Sequence, residues 1–122
     1  MNVVNAQQLQ ELMHRPLREK VVYIDGVGYR LRELTEEQGT QYELSLSDKK
    51  GNRDISGARR TLIALSLIDA DGNRVCNNAD ELKRLPRGIA GILWEECIKL
   101  SEYNESEIEQ LVKNSEGVER LD

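Results

Sequence analysis

The longest apolar run in the chain is "LIALSLI", residues 62–68, and Ser66 already breaks it. It falls far short of the roughly 18 apolar residues that a membrane span needs, so protein must cover it. Little is available to do so. The chain has 122 residues, is 39% hydrophobic, and lacks Phe altogether, with Trp94 and four tyrosines as its aromatics. A core must be built from Leu, Ile, Val and Ala around this run. Just upstream, Ile55, Ala58, Leu62 and Leu65 recur at helical spacing, and the pattern then turns fully apolar. That reads as a central helix feeding straight into a buried strand.

The remaining signals place helices and hairpins around this centre. Asn5 with Gln8 has the form of a capping box, and Ala6, Leu9, Leu12 and Met13 follow as a short stripe that ends before Pro16. In "VVYIDGVGYRLREL", two β-rich stretches flank Asp25-Gly26, a pair suited to a tight hairpin turn. Thr35 and Gln38 form a second capping box, opening a helix to about residue 47, although Tyr42, Leu44 and Leu46 also alternate like a strand. "DKKGNRDISG" is a polar connection. Asn78 with Glu81 caps a short helix that stops before Pro86. The longest helix is expected over 87–103, striped by Ile89, Ile92, Leu93, Cys97 and Leu100 and widened by Trp94 and Ile98. Asn104 and Glu107 then cap a last helix whose stripe is Ile108, Leu111 and Val112.

The expected fold class is therefore α+β: a small, mainly α-helical domain with one or two short β-hairpins. The organisation reads as a single domain over 1–122. It comprises an N-terminal helix in 1–19 that is free to move, a core over 20–103, and an acidic C-terminal helix and tail over 104–122. Leu93, Trp94 and Ile89 are expected to pack on the helix that begins near Ile55.

"LIDADGNRVCNNADE", residues 67–81, has the outline of a calcium loop, with Asp69, Asp71 and Asn73 at alternate positions. An EF-hand needs Gly at its sixth position and a bidentate Glu at its twelfth. Counted from Asp69, those positions are Arg74 and Asp80. Asp71-Gly72 between "SLID" and "NRVC" is better explained as a hairpin turn. No metal site is expected.

Catalytic chemistry fares no better. His14 is the only histidine and sits near a polar N-terminus. Glu95 and Glu96, being adjacent on a helix, point in different directions. Cys76 and Cys97 have no histidine partner nearby in sequence and read as reduced thiols, Cys97 as a small core residue. "DGVG" at 25–28 and "GIAG" at 88–91 lack the spacing of phosphate loops. No enzyme and no cofactor are indicated.

The net charge of -5 is concentrated at the C-terminus. From Ser101 onward, seven acidic residues face only Lys113 and Arg120, leaving the rest of the chain balanced. Nucleic acid is an unsuitable partner for such a surface, and Arg59-Arg60 and Lys49-Lys50 read as solvated surface pairs. Residues 1–20 have no apolar stretch suited to a signal peptide, and no membrane association is expected.

The order of "LTEEQGTQYE", "ARRTLIALSLIDADGNRV", "NNADELKRLP", a long helix and "ESEIEQLVKNSE" resembles the tail assembly chaperones of long-tailed bacteriophages. The similarity runs over about residues 30–116, and "ALSLIDADGNRV" and "IEQLVKNS" carry most of it. The resemblance implies a non-enzymatic protein of the infected cell's cytoplasm, absent from the mature virion. Its implied partners are the tape-measure protein, which it keeps soluble, and the tail-tube protein it helps recruit. Self-association stays open. The partner surface is expected at Ile108, Leu111 and Val112. Two other readings stay open: a head–tail completion protein, and a small bacterial protein-interaction adaptor.

Overall fold

The computed structural model describes residues 2–47 and 50–101. Most of its helices begin where capping side chains satisfy the first backbone N–H groups. Before α1 (Ala6–Met13), Asn5 Oδ1 accepts from the Gln8 N–H, and Gln8 Oε1 accepts from the Asn5 N–H, each at 2.9 Å. This helix has no buried residue. Residues Leu17–Ser101 form a separate compact unit.

That unit starts with β1 (Glu19–Ile24) and β2 (Val27–Arg32), paired antiparallel from Ile24↔Val27 to Glu19↔Arg32. Asp25 (φ 51°) and Gly26 (φ 79°) both lie in the left-handed region, the two-residue turn whose twist suits paired strands. Alternation then sorts the hairpin's faces. Val22 and Ile24 of β1 and Tyr29 and Leu31 of β2 turn to the core, with Leu31 at 0% exposure. A third strand, β3 (Leu67–Ile68), joins β2 antiparallel through Leu31↔Leu67 and Arg30↔Ile68. The sheet order is β1-β2-β3.

α2 (Glu36–Leu44) opens with the expected box, in which Thr35 Oγ1 accepts from Gln38 N–H and Gln38 Oε1 from Thr35 N–H. It ends at Leu44 rather than near 47, in a turn at Ser45 and Leu46, after which Ser47 bridges Arg53. Tyr42 packs on the core while Leu44 is exposed, so the strand-like alternation of these residues does not set the local structure.

α3 (Ile55–Ser66) is the centre. Leu62, Ile63, Ala64, Leu65 and Ser66 are all buried. At about 100° per residue, five consecutive positions cover the whole circumference, so the second half of α3 is enclosed on every side. The chain then passes directly into extended conformation at Leu67 (ψ 121°) with no intervening loop. The expected helix-into-strand order holds, with most of "LIALSLI" helical and the strand only two residues long. Ile55, placed on the buried stripe from sequence, is exposed because it lies in the first turn, beyond the sheet's cover.

After a 3₁₀ turn at Ala79–Leu82, capped by Asn78 and Glu81 as expected, α4 (Arg87–Ser101) packs against α3. Leu31, Leu62, Ile63, Leu67, Leu93 and Cys97 form the core, and Ile89, Trp94 and Ile98 pack around it. The expected contact of Leu93, Trp94 and Ile89 with α3's layer is present, whereas Ile92 is turned outward. α4's far end is tied down by Arg18 Nη2, which donates to the Leu100 carbonyl at 2.5 Å, and by Ser101 Oγ, which accepts from Leu34 N–H at 3.0 Å. The architecture is thus α+β, with four α-helices and a three-stranded antiparallel sheet among the described residues. None of the helices described is long and apolar enough to cross a membrane.

Candidate interaction surface

The stripe Ile108, Leu111 and Val112, with its Asn104–Glu107 cap, lies outside the described residues. The described unit does carry three features that bear on function.

The first is the Asp-rich segment after β3. Asp69 Oδ1 accepts from the N–H groups of Asp71 (2.9 Å) and Asn73 (3.0 Å), folding the chain on itself. Asn73 O accepts from Asp69 N–H at 2.8 Å, Leu67 O accepts from Val75 N–H at 3.2 Å, and Gly72 takes a φ of 86°. This is the tight turn expected at Asp71-Gly72. Three carbonyls of the turn meet arginine. Arg30 Nη1 donates to Asp69 O (3.1 Å) and Ala70 O (2.9 Å), and Arg32 Nη1 donates to Gly72 O (3.3 Å). Both guanidiniums are held by Glu19, whose carboxylate lies 2.6 Å from Arg30 and 3.2 Å from Arg32. Hydrogen bonding from Arg30, ahead of that from Arg32, holds the Glu19 carboxyl below its usual range. The turn is therefore stapled to the sheet by one acidic and two basic side chains, an arrangement invisible in sequence because its partners lie about forty residues apart.

The second feature is the setting of the thiols and of the carboxylates on α4. Burial pushes the Cys97 thiol up to about 12, with the Ser66 hydroxyl opposing that only in part. Burial, then the charge of Glu81, also raises Cys76. A nucleophilic cysteine needs the opposite shift. Glu96 is paired with Lys20 of β1, and that hydrogen bond is the main cause holding its carboxyl below the usual range, while Glu95 faces solvent. His14 is exposed beyond α1. Among the described residues no three His, Cys, Asp or Glu side chains gather where they could hold a metal ion.

The third feature is what the surface exposes. On the sheet's outer face Tyr23 is 74% exposed and lies with Val21 across Gly28, where a Cβ would meet the Tyr23 ring at 3.1 Å and Val21 at 3.2 Å. At the other side of the unit Arg59 and Arg60 are not the solvated pair expected from sequence. Arg59 lies over the Trp94 ring at 4.8 Å, and the Nε atoms of both arginines are buried without an acceptor. Facing sides of α3 and α4 draw these long side chains inward, since their stems cover apolar surface. They line a groove of about 170 Å³ with Ser56, Leu82, Lys83, Leu85, Arg87 and Ala90.

A three-stranded antiparallel sheet packed on a helix whose second half is enclosed, with one long helix packed against that helix, defines a small α+β class of domain. The particular fold is that of a solved structure, the bacteriophage HK97 tail assembly chaperone, which matches with a TM-score of 0.57 at 21% identity. The match covers 79% of this chain and 95% of the phage protein. No protein-family model matches the sequence, and no curated protein matches it significantly.

Proposed function

We propose that this chain is a phage tail assembly chaperone. Its partners on this reading are the tape-measure protein, which it keeps soluble, and the tail-tube protein, which it helps bring to the growing tail. It acts in the cytoplasm of the bacterial host and is absent from the finished virion. The observation that carries the reading is the shared fold with the bacteriophage HK97 chaperone, which extends over most of both chains. The inert thiols of Cys76 and Cys97 and the occupied carboxylates of Glu19 and Glu96 agree with work done by binding. A long helical tape measure exposes apolar stripes before the tube encloses it, and an amphipathic helix can cover such a stripe. Ile108, Leu111 and Val112 are the proposed contact residues.

Co-expression tests this directly. The cognate tape-measure protein should be soluble with it and aggregate without it. Removing residues 104–122 should leave the unit folded by circular dichroism and abolish the rescue. Equal solubility of the tape measure with and without the chain would refute the chaperone reading, and its detection in purified virions by mass spectrometry would favour a head–tail completion protein.

A further inference from the structure

The groove where α3, the 3₁₀ turn and the start of α4 meet has an imbalance of donors over acceptors. Arg59, Arg60, Lys83 and Arg87 line it, together with the apolar side chains of Leu82 and Leu85. Among the described residues no ion pair or side-chain hydrogen bond reaches the guanidiniums of Arg60 or Arg87, and Lys83 has only the exposed Asp80 at 3.6 Å. The nearby carboxylates are already committed: Glu81 Oε2 accepts from the Asn77 and Asn78 N–H groups, and Asp54 Oδ1 accepts from Gly57 N–H. The Nε donors of Arg59 and Arg60 are out of contact with water and have no acceptor, an unfavourable state unless something supplies one. α4 adds to the positive field, since its first turn contains no acidic residue to offset the helix dipole.

We propose that this groove binds a carboxylate on an acidic, amphipathic protein segment. A Glu or Asp side chain seats between Arg60 and Arg87, and an adjacent aliphatic side chain rests on Leu82 and Leu85. Guanidinium forks match carboxylate geometry, and a partly dry site strengthens the pair. A nucleic acid fits less well. The groove is about 170 Å³, too short to follow a phosphate backbone, and Trp94, which could stack a base, already lies under Arg59. The chain's net charge of -5 also repels a polyanion at long range, while a single carboxylate entering a local basic site is affected far less. The proposal stands independently of the tail assembly reading.

Fluorescence anisotropy on the full chain at low salt decides the matter. The probe is a labelled peptide alternating Glu and Leu pairs, compared with a Lys-Leu peptide and single-stranded oligo-thymidine. The Glu-Leu peptide should bind, and Arg60→Gln should weaken it at least about tenfold, corresponding to about 1.4 kcal/mol. Arg87→Glu should do the same. Because an acid in α4's first turn favours the helix, that variant separates loss of binding from loss of fold. Lys99→Gln, at the opposite end of α4, should leave affinity within about twofold. Equal weakening by Lys99→Gln would reduce the effect to net charge and overturn the proposal. So would absence of Glu-Leu binding, or oligo-thymidine binding that depends on Arg60 in the same way.

Discussion

Leu93→Ala tests whether the α3–α4 contact holds the unit together. Leu93 is 1% exposed and belongs to the core with Leu31, Leu62, Ile63, Leu67 and Cys97. Truncation removes three carbons, worth about 2.4 kcal/mol at about 0.8 kcal/mol each. If the surrounding helices relax to leave a void of roughly 40 Å³, the cavity adds about 1 kcal/mol at about 24 cal/mol per Å³. The expected loss is therefore about 3.4 kcal/mol, a large share of the roughly 5–15 kcal/mol typical of a domain. Urea unfolding followed by Trp94, the only tryptophan, reads it directly. The midpoint should fall while the denaturant slope stays unchanged. Ile92→Ala is the control from the same helix turn, since Ile92 is 45% exposed and should lose less than about 1 kcal/mol. A loss under about 1 kcal/mol for Leu93→Ala would refute the packing described for this face.

Ser66 is 0% exposed and its hydroxyl has no partner beyond the weakly bonding Cys97 thiol, so Ser66→Ala should stabilise the protein by about 1 kcal/mol in the same melts; destabilisation would show that Oγ is satisfied after all. Cys97 has a folded-state pKa raised from 9.0 to about 12, so its unfolded thiol ionises first and stability should fall as pH rises from about 9 towards 12. Comparison with Cys97→Ala isolates its share: the slope should be shallower in the variant, and Cys76, whose thiol is also raised by burial, contributes to what remains. Calorimetric titration should find no calcium binding tighter than about 10 μM, because Arg74 and Asp80 stand where the loop needs Gly and Glu, and Asp69 Oδ1 already accepts from the Asp71 and Asn73 N–H groups. Gly72→Ala should cost about 1–2 kcal/mol in urea melts, given the φ of 86° and an Arg32 nitrogen 3.0 Å from the added Cβ.

Local signals in this sequence were readable because each has a mechanism within a few residues. The boxes at Asn5–Gln8, Thr35–Gln38 and Asn78–Glu81 all form, and the Asp25-Gly26 turn needs only its own dihedrals. Periodicity located the contact between α3 and α4, but a stripe marks a face and not a depth, which is why Ile55 and Ile92 emerge at the rim. Pairings across long separations left no trace. Nothing near Arg30 or Arg32 announces that they hold the turn at Asp69–Gly72, and nothing near Arg59-Arg60 announces Trp94 beneath one of them. The basic groove was missed for that reason: its cations come from α3, the 3₁₀ turn region and α4, and converge only on folding. A basic pair one residue before the apolar run was the available hint, since side chains that close to a buried helix half seldom all reach open water.

The direct passage from Ser66 to Leu67 leaves the chain no slack at its centre. One inserted residue there would rotate the downstream chain by about 100° if helical, or exchange the two faces of β3 if extended. Either outcome turns Leu67 away from Leu31 and carries the arginine-held turn out of reach. Evolutionary drift in length should therefore be tolerated around Gly51 and forbidden between 62 and 74. The amides of the buried run 62–68 should also be the last to exchange with deuterium, because they lie in the enclosed centre of the unit.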